Sequence, residues 1–177
     1  FGEFSDEALN GLYLHRCSIL DNHFSNSELK GSGTAITLTE PDRTNIENNH
    51  VEYYLNGINL TGNVNSADVK SNRIENNHGD GILVHGGSNY NIHGNLLFNN
   101  SGYGVNITDS TDCKVKSNTF INNNGATDIF STSRIQAYTT HSSNLWDESG
   151  YGNYWNDWTG PDGDNDGIVD EPYLIFG

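Results

Sequence analysis

The residues best equipped for chemistry lie near the C-terminus, in the run PDGDNDGIVD. Asp162, Asp164 and Asp166 alternate, Gly167 follows, Ile168 can offer its carbonyl, and Asp170 stands two residues further on. Carboxylates at every second residue converge on one cation and the glycine permits a sharp turn, so D-x-D-x-D-G-x-x-D matches the opening of a calcium loop. The bidentate glutamate of the helical version is missing, because Tyr173 takes its place, and Pro172 argues against a flanking helix. Calcium is the cofactor expected here, with Asp157 or Glu171 available to complete the shell. A solvated acidic turn is the alternative.

A second candidate rests on two similar stretches, Asn45 to His50 and Arg73 to His78. Stacked on adjacent coils, they place Glu47 over Glu75 and His50 over His78. Carboxylates about 5 Å apart have the spacing of a retaining glycosidase, and a histidine pair can bind a metal. The plainer reading is a solvent-facing pattern copied by duplication, which makes Glu47 and Glu75 weak catalytic candidates. A lyase needs a base beside a carboxylate array, yet Arg16, Lys30, Arg43, Lys70, Arg73, Lys114, Lys116 and Arg134 are scattered. Asp109 and Asp112 lie in a turn without partners on neighbouring coils. Trp146, Tyr154, Trp155 and Trp158 either stack on sugar rings or plug the end of a core, and the plug is favoured because a solenoid end needs closing.

These residues must be positioned by a repeat. From Gly57 to Asn123 one sentence is written three times with a period of 23 or 24 residues. Gly57, Gly81 and Gly104 open the apolar pairs Ile58/Leu60, Ile82/Val84 and Val105/Ile107, then come Val69, Ile92 and Val115. An asparagine frame follows: Asn72, Asn76 and Asn77; Asn95, Asn99 and Asn100; Asn118, Asn122 and Asn123. Alternating apolar residues joined by Asn- and Gly-rich turns predict an all-β fold, a right-handed parallel β-helix of about 23-residue coils. Its asparagines stack into ladders along the axis.

The predicted inward stacks are Leu12/Ile36/Ile58/Ile82/Val105, Leu14/Leu38/Leu60/Val84/Ile107 and Phe24/Ile46/Ile74/Leu97/Phe120. Asn48 and Asn76 are 28 apart, which implies about five extra residues bulging between their frames. Phe98 above Ile121 forms an outward apolar pair that the C-terminal segment is expected to cover. The repeats are assigned to residues 1–140 and the aromatic, calcium-loop cap to 141–177.

The chain has 177 residues, net charge −15, 20 glycines, no methionine and eight Lys or Arg. Such charge repels phosphate backbones, so nucleic acid is not an expected partner. No run of 18 apolar residues appears, so no membrane span is expected. A start at Phe1 fits a processed secreted chain or a fragment of something longer. Sequons at Asn59, Asn99 and Asn106 permit glycosylation in a suitable compartment. Cys17 and Cys113 occupy matching repeat positions about four rungs, or about 19 Å, apart. A disulfide needs Cα atoms within about 7 Å, so they should not pair with each other; buried thiols are the plain reading, with an intermolecular bridge or metal ligation as the alternatives.

The Asn-rich coils and the ending NLWDESGYGNYWNDWTGPDGDNDGIVDEPYLI resemble the NosD-type parallel β-helix family. In that family, surface and periplasmic proteins close with a GNYWxD segment, an aspartate-rich loop and a D-x-PY stretch. The resemblance implies a right-handed β-helix, export from the cytoplasm, and a role in the cell envelope or in carbohydrate binding. The expectation is an extracellular or cell-surface structural or adhesive protein, stabilised by calcium, that self-associates or contacts envelope components and glycans. A carbohydrate-binding module, or a polysaccharide lyase or glycoside hydrolase of β-helix type, is the alternative.

Overall fold

A computed structural model describes residues 8–26, 32–62, 66–148, 150–160 and 171–175. The chain winds as a solenoid, each coil contributing one strand to each of three parallel sheets. Coil one holds β1 (Leu9–Leu12), β2 (Ser18–Leu20) and β3 (His23–Ser25); coil two holds β4 (Thr34–Thr39), β5 (Thr44–Glu47) and β6 (His50–Glu52). Coil three holds β7 (Asn56–Thr61), β8 (Ala67–Lys70) and β9 (Arg73–Glu75); coil four holds β10 (Ile82–His85), β11 (Asn91–His93) and β12 (Leu96–Phe98). Coil five holds β13 (Val105–Thr108), β14 (Lys114–Lys116) and β15 (Thr119–Ile121), and β16 (Ala137–Thr139) and β17 (Tyr154–Trp155) begin a sixth layer. The sheets run β1-β4-β7-β10-β13-β16, β2-β5-β8-β11-β14 and β3-β6-β9-β12-β15-β17. This is the expected right-handed parallel β-helix, and among the described residues it is all-β apart from one 3-10 turn at Asn123–Gly125.

Period-two alternation puts one residue in two inside. The first sheet buries Ile36, Ile58, Ile82, Val105 and Ala137 in one row and Leu38, Leu60, Val84 and Ile107 in the next. The second sheet stacks Ile19, Ile46, Val69, Ile92 and Val115. The third stacks Phe24, Val51, Ile74, Leu97 and Phe120, and Trp155 follows.

Three expected stack members change place. Leu9, not Leu12, pairs with Ile36, and Leu12 is 64% exposed. Gly11 faces Leu38 in the row expected for Leu14; a Cβ on Gly11 would lie 2.5 Å from Leu14 Cδ1, so Leu14 packs into the space that the missing side chain leaves. Ile46 belongs to the second sheet, and Val51 takes its place between Phe24 and Ile74. The cause is the spacing of the coils. Coils one and two are 27 residues apart, as from Asn22 to Asn49, whereas the ladder from coil two to coil five keeps 23, as from Asn49 to Asn72. The expected bulge between Asn48 and Asn76 is therefore absent, because these asparagines belong to different corners. The extra residues fall between Ser25 and Thr34, partly outside the described residues.

The corners explain the asparagines. Asp21, Asn48, Ser71, Gly94 and Ser117 repeat a left-handed conformation with φ of 53–64°, which small polar residues and glycine tolerate best. The next residue in each copy joins a ladder that is exposed at Asn22, buried through Asn49, Asn72, Asn95 and Asn118, and continued by half-buried Asn153. Amide-to-oxygen distances along it are 2.9–3.0 Å. A second ladder runs Asn77, Asn100, Asn123 and Gln136, again after left-handed Asn76, Asn99 and Asn122. Each interior amide also donates to a backbone carbonyl, as Asn95 Nδ2 does to Val69 O at 2.8 Å. Burial of so polar a side chain is tolerated because its hydrogen-bonding capacity is used. Gly81 is required for a different reason: a Cβ there would stand 2.7 Å from Gly104 O.

Candidate functional site

The third sheet turns Phe24, Val51 and Ile74 inward, so the residues flanking them project from the outer face. Strand pairing then sets His23 of β3, His50 of β6 and Arg73 of β9 in one row, and Ser25, Glu52 and Glu75 in the next. The two imidazoles lie face to face, centroids 4.5 Å apart and planes within 2°. That spacing is the rung height of a parallel sheet.

Each imidazole reaches a carboxylate on the next coil. His23 Nε2 lies 2.9 Å from Glu52 Oε1, and His50 Nε2 lies 2.8 Å from Glu75 Oε1 and 3.8 Å from Glu52 Oε2. Arg73 clamps Glu75 from its own strand, Nε to Oε1 and Nη2 to Oε2, both at 2.6 Å. Glu75 is 5% exposed. Burial works against its charge, but hydrogen bonds from Arg73 and His50, with the charges of both, outweigh it and hold the carboxyl below the usual range. Arg73 is raised, first by its hydrogen bond to Glu75.

Glu47 is not part of this cluster. It lies on β5, opposite Leu20 and Lys70, and pairs with Lys70 Nζ at 3.3 Å. The hydrogen bond from Asn45, with help from Lys70, lowers its pKa. The expected stack of Glu47 over Glu75 is thus corrected to Glu52 over Glu75, and that of His50 over His78 to His23 over His50. Aligning Val51 with Ile74, 23 residues apart, gives Glu52 over Glu75, and aligning Phe24 with Val51, 27 apart, gives His23 over His50; aligning on asparagines hid both.

Glu75 does not fit the acid of a glycosidase pair. Such a site needs one carboxyl that keeps its proton near neutrality. Glu75 is pushed the other way and locked to Arg73. On the neighbouring face a shallow cleft of about 290 Å³ is lined by Tyr90, Asp112, Lys114, Lys116 and Glu148. Both lysines are tied to Glu148, whose pKa falls to about 2 through their hydrogen bonds. They are poorly placed to serve as the free base of a lyase.

The aromatic candidates part company. Trp155 is 8% exposed, with Phe120 stacked on one side at 4.1 Å and Tyr173 at 4.0 Å, so it offers no sugar platform. Trp146 packs against the core, and Trp158 lies edge-on to Phe130 and Tyr173 while its indole N–H donates to Glu171 O. Tyr154 is 61% exposed. Phe98 and Ile121 stay partly exposed on neighbouring strands.

Asp162, Asp164, Asp166, Ile168 and Asp170 lie outside the described residues. Asp157, one option for completing their shell, is 1% exposed and engaged elsewhere: its oxygens accept from Gln136 Nε2 at 2.5 Å and from Tyr173 O–H at 3.1 Å. Among the sequons, Asn99 is exposed at a corner and donates to Asn76 Oδ1. Asn59 and Asn106 sit half-buried on the first sheet, Asn106 donating to Asp80 Oδ2 at 2.8 Å. Cys17 and Cys113 are free, four strands apart in the second-sheet direction, and burial pushes the Cys113 thiol up to about 11.

Among the described residues no helix is long and apolar enough to cross a membrane. No curated protein and no solved structure matches the chain. The family model described as the right handed beta helix region matches residues 4–160, and with the three parallel sheets described above this makes the chain a member of the right-handed β-helix family.

Proposed function

We propose that this protein is an extracellular or cell-surface structural β-helix, a rigid rod in an envelope, sheath or filament, closed by a calcium-stabilised C-terminal cap. The observation that carries this reading is the uninterrupted stack. One ladder passes amide to amide from Asn22 to Asn153, beside a core that continues to Trp155. Such a column favours stiffness over an enclosed site, and the cleft beside Lys114 and Lys116 is shallow and charged. The resemblance of the GNYW ending and aspartate-rich loop to NosD-type proteins supports export and the calcium-locked cap. Self-association is the partner expected first, because β1, β2 and β3 are the terminal strands of their sheets among the described residues and present paired edges on one side alone.

A glycan-binding module is the second reading, favoured by exposed Tyr151 and Tyr154 at 66% and 61%. Light scattering and analytical ultracentrifugation with calcium, beside a glycan array, separate the two. Growth of defined particles with calcium supports the structural role. A monomer at high concentration that retains specific glycans favours the module. Release of reducing ends or unsaturated products from acidic polysaccharides would overturn both in favour of an enzyme.

A further inference from the structure

The row of histidines on the third sheet stands outside the structural role. We infer that His23, His50 and Glu52 form a binding site for one borderline divalent cation, of which Zn²⁺ is the representative. Their ligand atoms lie within 4.8 Å of one another. A tetrahedral ion with bonds of about 2.0–2.2 Å needs ligand atoms about 3.3 Å apart. The remaining convergence is a matter of side-chain rotation, and the His23 and His50 side chains are 58% and 35% exposed, free to make it.

Three features favour such an ion over chance proximity. The first is charge. Glu52 and Glu75 face each other on adjacent strands, and like charges so placed repel. Arg73 neutralises Glu75 with both nitrogens, whereas the direct ion-pair partners of Glu52 among the described residues are two imidazoles. A cation beside Glu52 completes the balance.

The second is order. Parallel pairing fixes His23 and His50 on adjacent strands with their rings stacked within 2° of parallel, so both imidazoles already lie side by side and the rotation left to make is small. The third is ligand type. Two nitrogens and one carboxylate suit zinc and its neighbours, while calcium and magnesium want oxygen alone. The site is therefore chemically distinct from the aspartate-rich loop. Three protein ligands leave a fourth position open to water. The other ion-paired histidines described, His15 with Asp42 and His85 with Asp109, each face one carboxylate and no second imidazole within the set that could hold a metal.

The test is calorimetric titration of the full chain with ZnCl₂ in saturating CaCl₂, so that calcium occupies any all-oxygen site. The wild type and His85→Ala are expected to bind one equivalent. His23→Ala, His50→Ala and Glu52→Gln each weaken binding at least tenfold, a scale typical of even outer-shell changes at metal sites. His23→Gln/His50→Gln, which keeps polar groups on the surface and whose fold is verified by circular dichroism, abolishes it. Co²⁺ should give tetrahedral visible bands in the wild type and lose them in that double variant. No uptake by the wild type, or equal uptake by the folded double variant, overturns the proposal.

Discussion

Trp155 lies face to face on Phe120, ring centroids 4.1 Å apart and planes 17° from parallel. Phe120 ends the aromatic and aliphatic column of the third sheet, and Trp155 extends it by one layer, with Tyr173 stacked beyond at 4.0 Å. The C-terminal segment is thus joined to the coils through the core itself.

Replacing Trp155 by Ala removes that layer and uncovers Phe120. Large aromatic-to-alanine changes in cores cost about 3–5 kcal/mol, and Trp155→Ala is expected to fall in that range in denaturant unfolding. Tyr154→Ala on the same strand, exposed to solvent, should change stability by less than about 0.5 kcal/mol. Equal effects for the two would show that the column stops at Phe120.

Asn95 tests the ladder. Its oxygen accepts from Asn72 N and Nδ2, and its amide donates to Val69 O and Asn118 Oδ1. Asn95→Leu strands all of these partners, and each unsatisfied buried group costs about 1–3 kcal/mol, so this variant should fail to fold. Asn95→Asp keeps the accepting oxygen but turns a second oxygen toward two acceptors unless it is protonated. Its folded-state pKa is then raised, and the sign follows: stability is present at low pH and is lost as pH rises through that value. A melting temperature for Asn95→Asp that climbs from pH 4 to 7 would refute the ladder geometry.

Two carboxylates predict the opposite dependence. Glu75 is lowered by Arg73 and His50 against the effect of burial, and Glu148 is lowered from 4.5 to about 2 by Lys114 and Lys116. Their stabilising contribution is present above the unfolded value and is lost as pH falls, for Glu148 between about 4.5 and about 2. Melting temperature should drop across this window. Glu75→Gln should lower stability at pH 7 by about 2 kcal/mol, the scale of hydrogen bonds to charged groups, and flatten the acid limb. Glu148→Gln flattens it too, but with a smaller loss at pH 7 that salt reduces, because the ion pairs lie at the surface with Lys114 and Lys116 partly exposed.

For the aspartate-rich loop the measurement is thermal unfolding with calcium and then with excess chelator. A calcium-bound cap raises the melting temperature through linkage, about 2.7 kcal/mol at a hundredfold excess over the dissociation constant. Asp164→Ala/Asp166→Ala should abolish the shift. No difference between calcium and chelator in the wild type would leave an acidic turn.

The sequence by itself determined the β-helix, its period and its asparagine ladders, because repetition states the coil directly and inward residues alternate. Asn72, Asn95 and Asn118 could be read as one column since identical residues recur at 23, but coil two, which keeps the same spacing to coil three, was aligned on the wrong corner. Tertiary structure decided where coil one joins. A spacing of 27 instead of 23 moved Leu12 to the surface and put Gly11 opposite Leu38, while pairing with Val69 set Ile46 in the second sheet. The same choice decided the surface chemistry. Side chains on the outer face are not constrained by the core, so their meeting depends on strand pairing alone, and one misjudged corner hides His23 over His50 and Glu52 over Glu75. The aromatic tail shows the same division: its composition marked a closing segment, but which ring enters the column follows from Trp155 pairing with Phe120 on an adjacent strand. Local pattern writes the coil, and the contacts between coils choose which polar residues meet.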